Sequence, residues 1–345
     1  MKAFVTGGSG FVGRNLIAAL RGRGDHVVAL ARSTTAAAAC RDAGASEVIR
    51  GDLGDVPAMA KGMTGCDVVF HSAAIVTDWG DRKTFFAVNV AGTKNALAAA
   101  QAAAAPRFVH VGTEAALVGG PPIRQVDETR PLPEKPVGWY ATTKGLAEAA
   151  VLAANREGFT TVAIRPRLIW GAGDTSLLPQ IIDSVRDGRF RWIDGGRYMT
   201  STCHVANVVE GVLLAAEKGV GGNCYFLTDG EPVEFRSFLT SLLATQGIDP
   251  GPRSLPLWMA RAAARSIEAL WRGLGIRATP PLTRTAVLVL GREVTVVDAK
   301  ARRELGYVGS VSVATGLSAM ATGPRPPRRR AQALDSTCRA LTAEG

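Results

Sequence analysis

The chain has 345 residues, 47% hydrophobic and 20% charged, with 40 basic against 30 acidic side chains and a formal net charge of +10. That length holds one large or two ordinary domains with a sizeable core, and the composition excludes disordered and fibrous classes. No apolar run approaches the ~18 residues of a membrane span, no secretory leader opens the sequence, and Cys40, Cys66, Cys203, Cys224 and Cys338 are scattered without metal-ligand spacing; the expectation is a cytoplasmic protein with reduced thiols and no metal.

In chain order, KAFVTG reads as a first strand running into GGSGFVG, where Gly7, Gly10 and Gly13 stand three apart and Gly8, Gly10 and Gly13 satisfy G-x-G-x-x-G. Alone, such a motif is a glycine-rich turn. Here it follows a strand and opens a helix, the context of a dinucleotide site: glycines allow the tight turn and close approach of a pyrophosphate, and the helix aims its positive end at it. Gly7, Gly10, Phe11, Val12 and Gly13 are therefore expected to cradle the phosphates. The second strand ends in VVALARST, with Ala31 where an acid would bind a ribose hydroxyl and Arg32 able to hold a 2′-phosphate. NADP is the expected cofactor and NAD the alternative, with a merely solvated Arg32 as the plain reading. After the third strand, Asp52 and Leu53 of GDLGD are placed beside the adenine.

Further strands are expected at DVVFHSAA, RFVHVGT and TVAIRP, with Ala/Leu-rich helices between them. This alternation predicts an α/β fold, a Rossmann-type doubly wound parallel sheet. The helix in GWYATTKGLAEAAVLAAN carries Tyr140 and Lys144 four residues apart, on one face. The plain reading of that pair is a half-buried Tyr with a Lys snorkelling beside it. Beyond Pro166 the rhythm loosens into prolines, helices and a strand-like CYFLTD. The expected organisation is a nucleotide-binding core over 1–165, with segments around 190–228 interleaving, a smaller substrate lobe over 166–320, and a basic flexible tail over 321–345.

TGGSGFVG, GDLGD, HSAA, NVAGT, YATTK and RPRLIWGAGD occur in the order and spacing of the extended short-chain dehydrogenase/reductases. The chain resembles that superfamily over residues 1 to 320. RPRLIWGAGD, PPLTR and DAKARRELGY resemble its 3β-hydroxysteroid dehydrogenase-like branch, and the same features are similar to bacterial 2-alkyl-3-ketoalkanoate reductases. The resemblance implies a catalytic trio of Thr113, Tyr140 and Lys144. Tyr140 would exchange the alcohol proton, and Lys144 would lower its pKa and bind the nicotinamide ribose. Thr113 would polarise the substrate oxygen, in place of the commoner Ser, with Gly112 where another Ser is frequent. The resemblance also places Ser72, Ala73, Ala74, Asn89, Arg165 and Pro166 along the cofactor. Glu114 is expected to be a solvated loop residue, since an elimination enzyme would show an acidic pair and Ala115 follows here. His71 is expected to be a satisfied core group.

The implied activity is interconversion of a secondary alcohol and a ketone on an apolar substrate, a 3β-hydroxysteroid or a long-chain β-keto or β-hydroxy lipid. The competing classes are a nucleotide-sugar epimerase or dehydratase and a non-catalytic NADP-sensing protein. Nucleic acid is not an expected partner, because the dispersed arginines are not interleaved with stacking aromatics. Trp170, Trp192, Trp258 and Trp271 all fall in the second lobe, where the superfamily recognises substrate. The helix in LPLWMARAAARSIEALWRGLG sets Met259, Ala263, Ile267, Leu270, Trp271 and Leu274 on one face and Arg261, Arg265, Glu268 and Arg272 on another. Core cover, pocket lid and peripheral membrane contact stay open for it, and family habit makes a homodimer an option.

Overall fold

Short runs of Val, Ile, Phe and Ala suit strands buried on both faces, and seven of them form one parallel sheet in the computed structural model, which describes residues 1–119, 122–276 and 278–322. The strands are β1 (Lys2–Thr6), β2 (His26–Ala31), β3 (Glu47–Arg50), β4 (Val68–His71), β5 (Arg107–Val111), β6 (Thr160–Pro166) and β7 (Asn223–Leu227). Their order is β7-β6-β5-β4-β1-β2-β3. The order reverses at β1 and β4, so a crevice opens above the carboxyl ends there, where ligands of such sheets bind. The strand-like CYFLTD, which overlaps the segments around 190–228 expected to interleave with the core, is β7, paired with β6 from Asn223↔Val162 to Leu227↔Pro166.

Successive strand residues face opposite layers. Ala3 and Val5 pack with Leu16, Ile17 and Leu20 of α1 (Phe11–Gly22), together with Val208 and Val212 of a later helix, Val205–Lys218. Phe4 packs the other way with Met59, Met63, Ala96, Ala99, Ala100 and Val151. These belong to α3 (Val56–Met63), α4 (Gly92–Ala102) and α5 (Gly138–Ala153), α2 being Thr34–Asp42. The Ala-rich run thus forms a thin helix lying close on the sheet. Among the described residues no helix is long and apolar enough to cross a membrane. The helix Val313–Thr322 ends that portion, and the basic tail lies outside it from 323 on.

Beyond β6 the structure differs from the sequence pattern in two ways. Trp170 and Trp192 are 2% and 1% exposed and fill the core there, their indole N–H groups donating to Asp229 Oδ2 and the Gly251 carbonyl. They pack with Phe235, Phe238 and Leu239 in one apolar cluster. The helix Leu257–Gly273 buries Ala260, Ala264 and Glu268, not the large apolar residues. Glu268 turns inward because its carboxylate accepts from the Arg284 backbone N–H and guanidinium and from Arg272. Trp258, Leu270 and Leu274 are left exposed as a result.

Candidate active site

The glycine loop is built by packing as much as by conformation. Gly7 has φ +71°, and a Cβ there would meet Ala73 N at 2.6 Å. A Cβ on Gly13 would strike the Gly7 carbonyl at 2.1 Å. At Gly10 an added methyl meets only that carbonyl, at 3.2 Å, so the face in front of it is open. Gly10 caps α1 with no side-chain hydrogen bond, and no acid stands in the first turn. The first N–H groups of the helix are therefore offered to an outside anion, which fits the pyrophosphate of a dinucleotide. Gly13→Ala should cost about 1–3 kcal/mol of stability through overpacking. Gly10→Ala should fold normally and lose only nucleotide affinity; thermal melts with nucleotide titration separate the two, and equal melting losses would sink the distinction.

Arg32 is exposed at the end of β2, beside an open cleft of about 500 Å³ shared with Gly51, Asp52, Gly54, Asp55 and Pro57. Strand register puts Arg50 opposite Ala31. The Arg50 guanidinium lies 3.5 Å from the Arg32 carbonyl and from the Thr34 hydroxyl. Sequence reading missed this second arginine, because only the pairing of β2 with β3 brings it there. Ser33 caps α2 through Ala36 N. Asp52 accepts from Gly54 N, and Leu53 packs where a Cβ on Gly92 would stand.

Between the glycine loop and α5 runs a polar network in which Asn89, His71 and Thr93 are all paired. Asn89 lies in a π-helical turn, Phe86–Ala91, that leads into α4; such turns re-aim a side chain at functional sites. Its amide accepts from Ile75 N at 2.8 Å and donates to the Ile75 carbonyl and to Thr143 Oγ1, binding the Ser72–Ala74 loop to α5 between Tyr140 and Lys144. His71 sits behind it, between Thr6 at 2.8 Å and Thr93 at 3.0 Å. Thr93 gives its proton to the Asn89 carbonyl, so it must accept from His71 Nε2. Burial, then the Lys144 charge, pushes His71 down to about 3 and keeps the ring neutral. His110, stacked on it at 5.4 Å, has no partner for either nitrogen.

Thr113 follows β5, and Tyr140 and Lys144 rise beside it on α5. Lys144 is 3% exposed and donates to the Val111 carbonyl at 2.8 Å. Burial pushes its ammonium down to about 8, against Glu148. The Tyr140 phenol is raised rather than lowered: burial dominates, the Glu114 charge adds to it, and contact with Thr113 pulls the other way. The expected lowering by Lys144 is absent, since its ammonium is turned to the Val111 carbonyl. Gly112 leaves no room for a Ser, since a Cβ would lie 2.9 Å from the Ile164 carbonyl. Arg165 turns its guanidinium onto Glu148, at 2.5 and 2.8 Å, and over Phe226. Its Nε and Nη2 are thereby engaged, while Nη1 is buried without a partner.

Glu114 is the main surprise. It is not solvated but 3% exposed, accepting from Thr113 Oγ1 at 2.9 Å and from Arg167 Nη1 at 2.8 Å. Phe86 and Trp79, from segments the sequence did not single out, join Trp139 of α5 near the start of that helix. Trp139, 39% exposed, meets Phe86 edge-on beneath the Arg82 guanidinium, and Trp79 lies under Arg272. Asp78 and Thr283 are hydrogen-bonded, and Thr285 stands where a Cβ on Gly138 would be. The loop after β4 and the helix Arg284–Leu290 therefore wall in the start of α5.

A 4-hydroxy-2-methyl-3-oxo-4-farnesyl-3,4-dihydroquinoline-1-oxide ketoreductase of Stigmatella aurantiaca is 56% identical, over 93% of this chain and 96% of its own. A 2-alkyl-3-oxoalkanoate reductase of Stenotrophomonas maltophilia is 36% identical, over 92% and 97%. Among solved structures, a dTDP-glucose 4,6-dehydratase of Streptomyces venezuelae with NAD bound superposes with a TM-score of 0.73 over 93% of this chain and 96% of its own; at 24% identity it speaks for the fold alone. Residues 4–257 match the 3-beta hydroxysteroid dehydrogenase/isomerase family, and the chain belongs to that family of oxidoreductases.

Proposed function

We propose that the protein interconverts a ketone and a secondary alcohol, using NADP, on a substrate whose reacting carbon neighbours a carbon bearing a long hydrocarbon chain. The observation that carries the reading is the convergence of Thr113, Tyr140 and Lys144 between β5 and α5, beside an uncapped phosphate cradle. When bound, the nicotinamide supplies or accepts hydride. The chain's own residues do the rest. Tyr140 presents its phenol to the substrate oxygen, as acid in reduction and base in oxidation. Lys144, anchored to the Val111 carbonyl, holds positive charge one turn along α5. Asn89 fixes that turn through Thr143 and holds the loop after β4 against it. Glu114 has both oxygens engaged, which speaks against a role as a free acid in sugar elimination.

The substrate class rests on chemistry common to two relatives. The S. aurantiaca enzyme is a ketoreductase for a 3-oxo ring whose 4-position is farnesylated, and the S. maltophilia enzyme reduces a 2-alkyl-3-oxoalkanoate. In both, the carbon beside the ketone carries the chain. Val76, 61% exposed, with Trp139 and Phe86, supplies apolar surface on segments flanking the catalytic helix. Burying on the order of 100 Å² more hydrocarbon at roughly 25 cal/mol per Å² is worth about 2.5 kcal/mol, more than tenfold in kcat/KM. NADPH oxidation should thus be over tenfold more efficient with a long 2-alkyl-3-oxoalkanoate than with its unbranched counterpart, and absent with UDP- or dTDP-sugars. Equal rates for branched and unbranched ketones would sink the substrate class; turnover of nucleotide sugars alone would sink the reaction.

A further inference from the structure

The family's trio leaves Glu114 and Arg167 unexplained, yet the two form a buried ion pair, 3% and 2% exposed, directly against Thr113. Burying a carboxylate and a guanidinium costs several kcal/mol per ion before their attraction is counted, so the arrangement calls for a reason. Arg167 is held as tightly as Glu114. Its Nη2 donates to the Val289 carbonyl at 2.7 Å and to Thr200 Oγ1 at 3.3 Å. Leu168, next in the chain, takes φ +44°, a left-handed conformation that a leucine rarely adopts and that aims the chain at this point.

Proton counting at Thr113 gives the consequence. A hydroxyl has one proton to donate and two lone pairs to accept with. Thr113 Oγ1 gives its proton to Glu114 Oε2 at 2.9 Å and accepts from Ala115 N at 3.1 Å. One lone pair remains, so Thr113 can accept from Tyr140 or from a substrate hydroxyl but has no proton for a ketone oxygen. On the reading of Thr113, Tyr140 and Lys144 as the catalytic trio, we propose that Glu114, clamped by Arg167, is a positioning residue. It turns the Thr113 proton away from the substrate, makes Tyr140 the single side-chain donor to the carbonyl, and holds the phenol in the protonated form that ketone reduction draws on.

In reduction the carbonyl carbon takes hydride from the reduced nicotinamide and the carbonyl oxygen takes the Tyr140 proton; solvent reprotonates the phenolate. Oxidation must start from that phenolate. The charged group that faces it is Glu114, from the turn after β5, with Arg167 behind it; Lys144, one turn along its own helix, turns its ammonium to the Val111 carbonyl. The other elements packed here offer apolar side chains: Leu288, Val289, Val294 and Val296. A carboxylate beside a phenol disfavours its ionisation, and Tyr140 is indeed raised, by burial first and Glu114 second. A Thr113 that cannot donate to the phenolate withholds the hydrogen bond that would stabilise it.

The test is Glu114→Gln. The amide oxygen accepts from Arg167, the amide N–H₂ then faces Thr113, and the Thr113 proton is released toward Tyr140. Tyr140 ionisation is read from phenolate absorbance as the difference between each variant and the same variant carrying Tyr140→Phe. Rates in both directions are measured against pH with a 2-alkyl-3-oxoalkanoate and its alcohol. We expect the phenol to titrate roughly one to two pH units lower in Glu114→Gln. The falling limb of reduction and the rising limb of oxidation should both move down with it, by the same one to two pH units. In a Thr113→Val background the shift from Glu114→Gln should fall below half. An unmoved titration, or a full shift without Thr113, overturns the proposal. If Glu114→Gln does not fold, Glu114→Leu with Arg167→Met removes both buried charges and carries the same measurements. Turnover surviving in Tyr140→Phe alone would instead overturn the reading of the trio.

Discussion

Tyr140→Phe should lower turnover by at least a hundredfold while leaving nucleotide binding within a few-fold, because general acid–base catalysis contributes ~10² to 10⁴. The change deletes one oxygen from a partly exposed side chain at the catalytic crevice, so folding should be unaffected. Lys144→Met should behave differently. Lys144 is buried and donates to the Val111 carbonyl, so its loss strands that acceptor, removes the charge that Glu148 faces, and costs stability as well as turnover. Steady-state rates, nucleotide titration and thermal melts on both variants check the pair. More than a tenth of wild-type turnover in Tyr140→Phe would mean that α5 has been misread.

The legible parts of this site are those set by short-range pattern. Gly7, Gly10 and Gly13 are visible because a turn and a helix start impose fixed spacing. Tyr140 and Lys144 are visible because helical period puts residues four apart on one face. The parallel sheet follows from runs too apolar to face water on either side. What stayed hidden depends on partners distant in the chain. Glu114 reads as solvated until Arg167, fifty-three residues later, is folded against it. Arg50 is unremarkable until β3 pairs with β2. Glu268 breaks the expected face of its helix because Arg284 satisfies it from inside. Trp170 and Trp192 look like pocket residues in a list of aromatics, yet both find carboxylate or carbonyl partners in the core. The π turn at Asn89 leaves no mark in the sequence, since it is one residue of slack in an otherwise helical run.

Cofactor choice should rest on Arg32 together with Arg50. Ala31 ends β2 without a carboxylate, so its side chain neither rewards a free ribose 2′-hydroxyl nor repels a 2′-phosphate. Arg32 stands exposed at the mouth of the adjoining cleft, and the Arg50 guanidinium closes the other side of the same turn, 3.5 Å from the Arg32 carbonyl. Each charge-assisted phosphate contact is worth on the order of 1.5–3 kcal/mol, or roughly one to two decades in affinity. Arg32→Ala and Arg50→Ala should therefore each weaken NADPH by ten- to a hundredfold and leave NADH within about threefold; Arg32→Ala with Ala31→Asp should turn preference toward NADH. Salt gives an independent check. Both arginines are at the surface, so NADPH affinity should fall steeply as ionic strength rises and the Debye length shrinks from about 10 Å at 0.1 M, whereas NADH affinity should barely move. A wild-type protein that already favours NADH tenfold, or NADPH binding indifferent to salt, would show that both guanidiniums face solvent and that the cofactor is NAD.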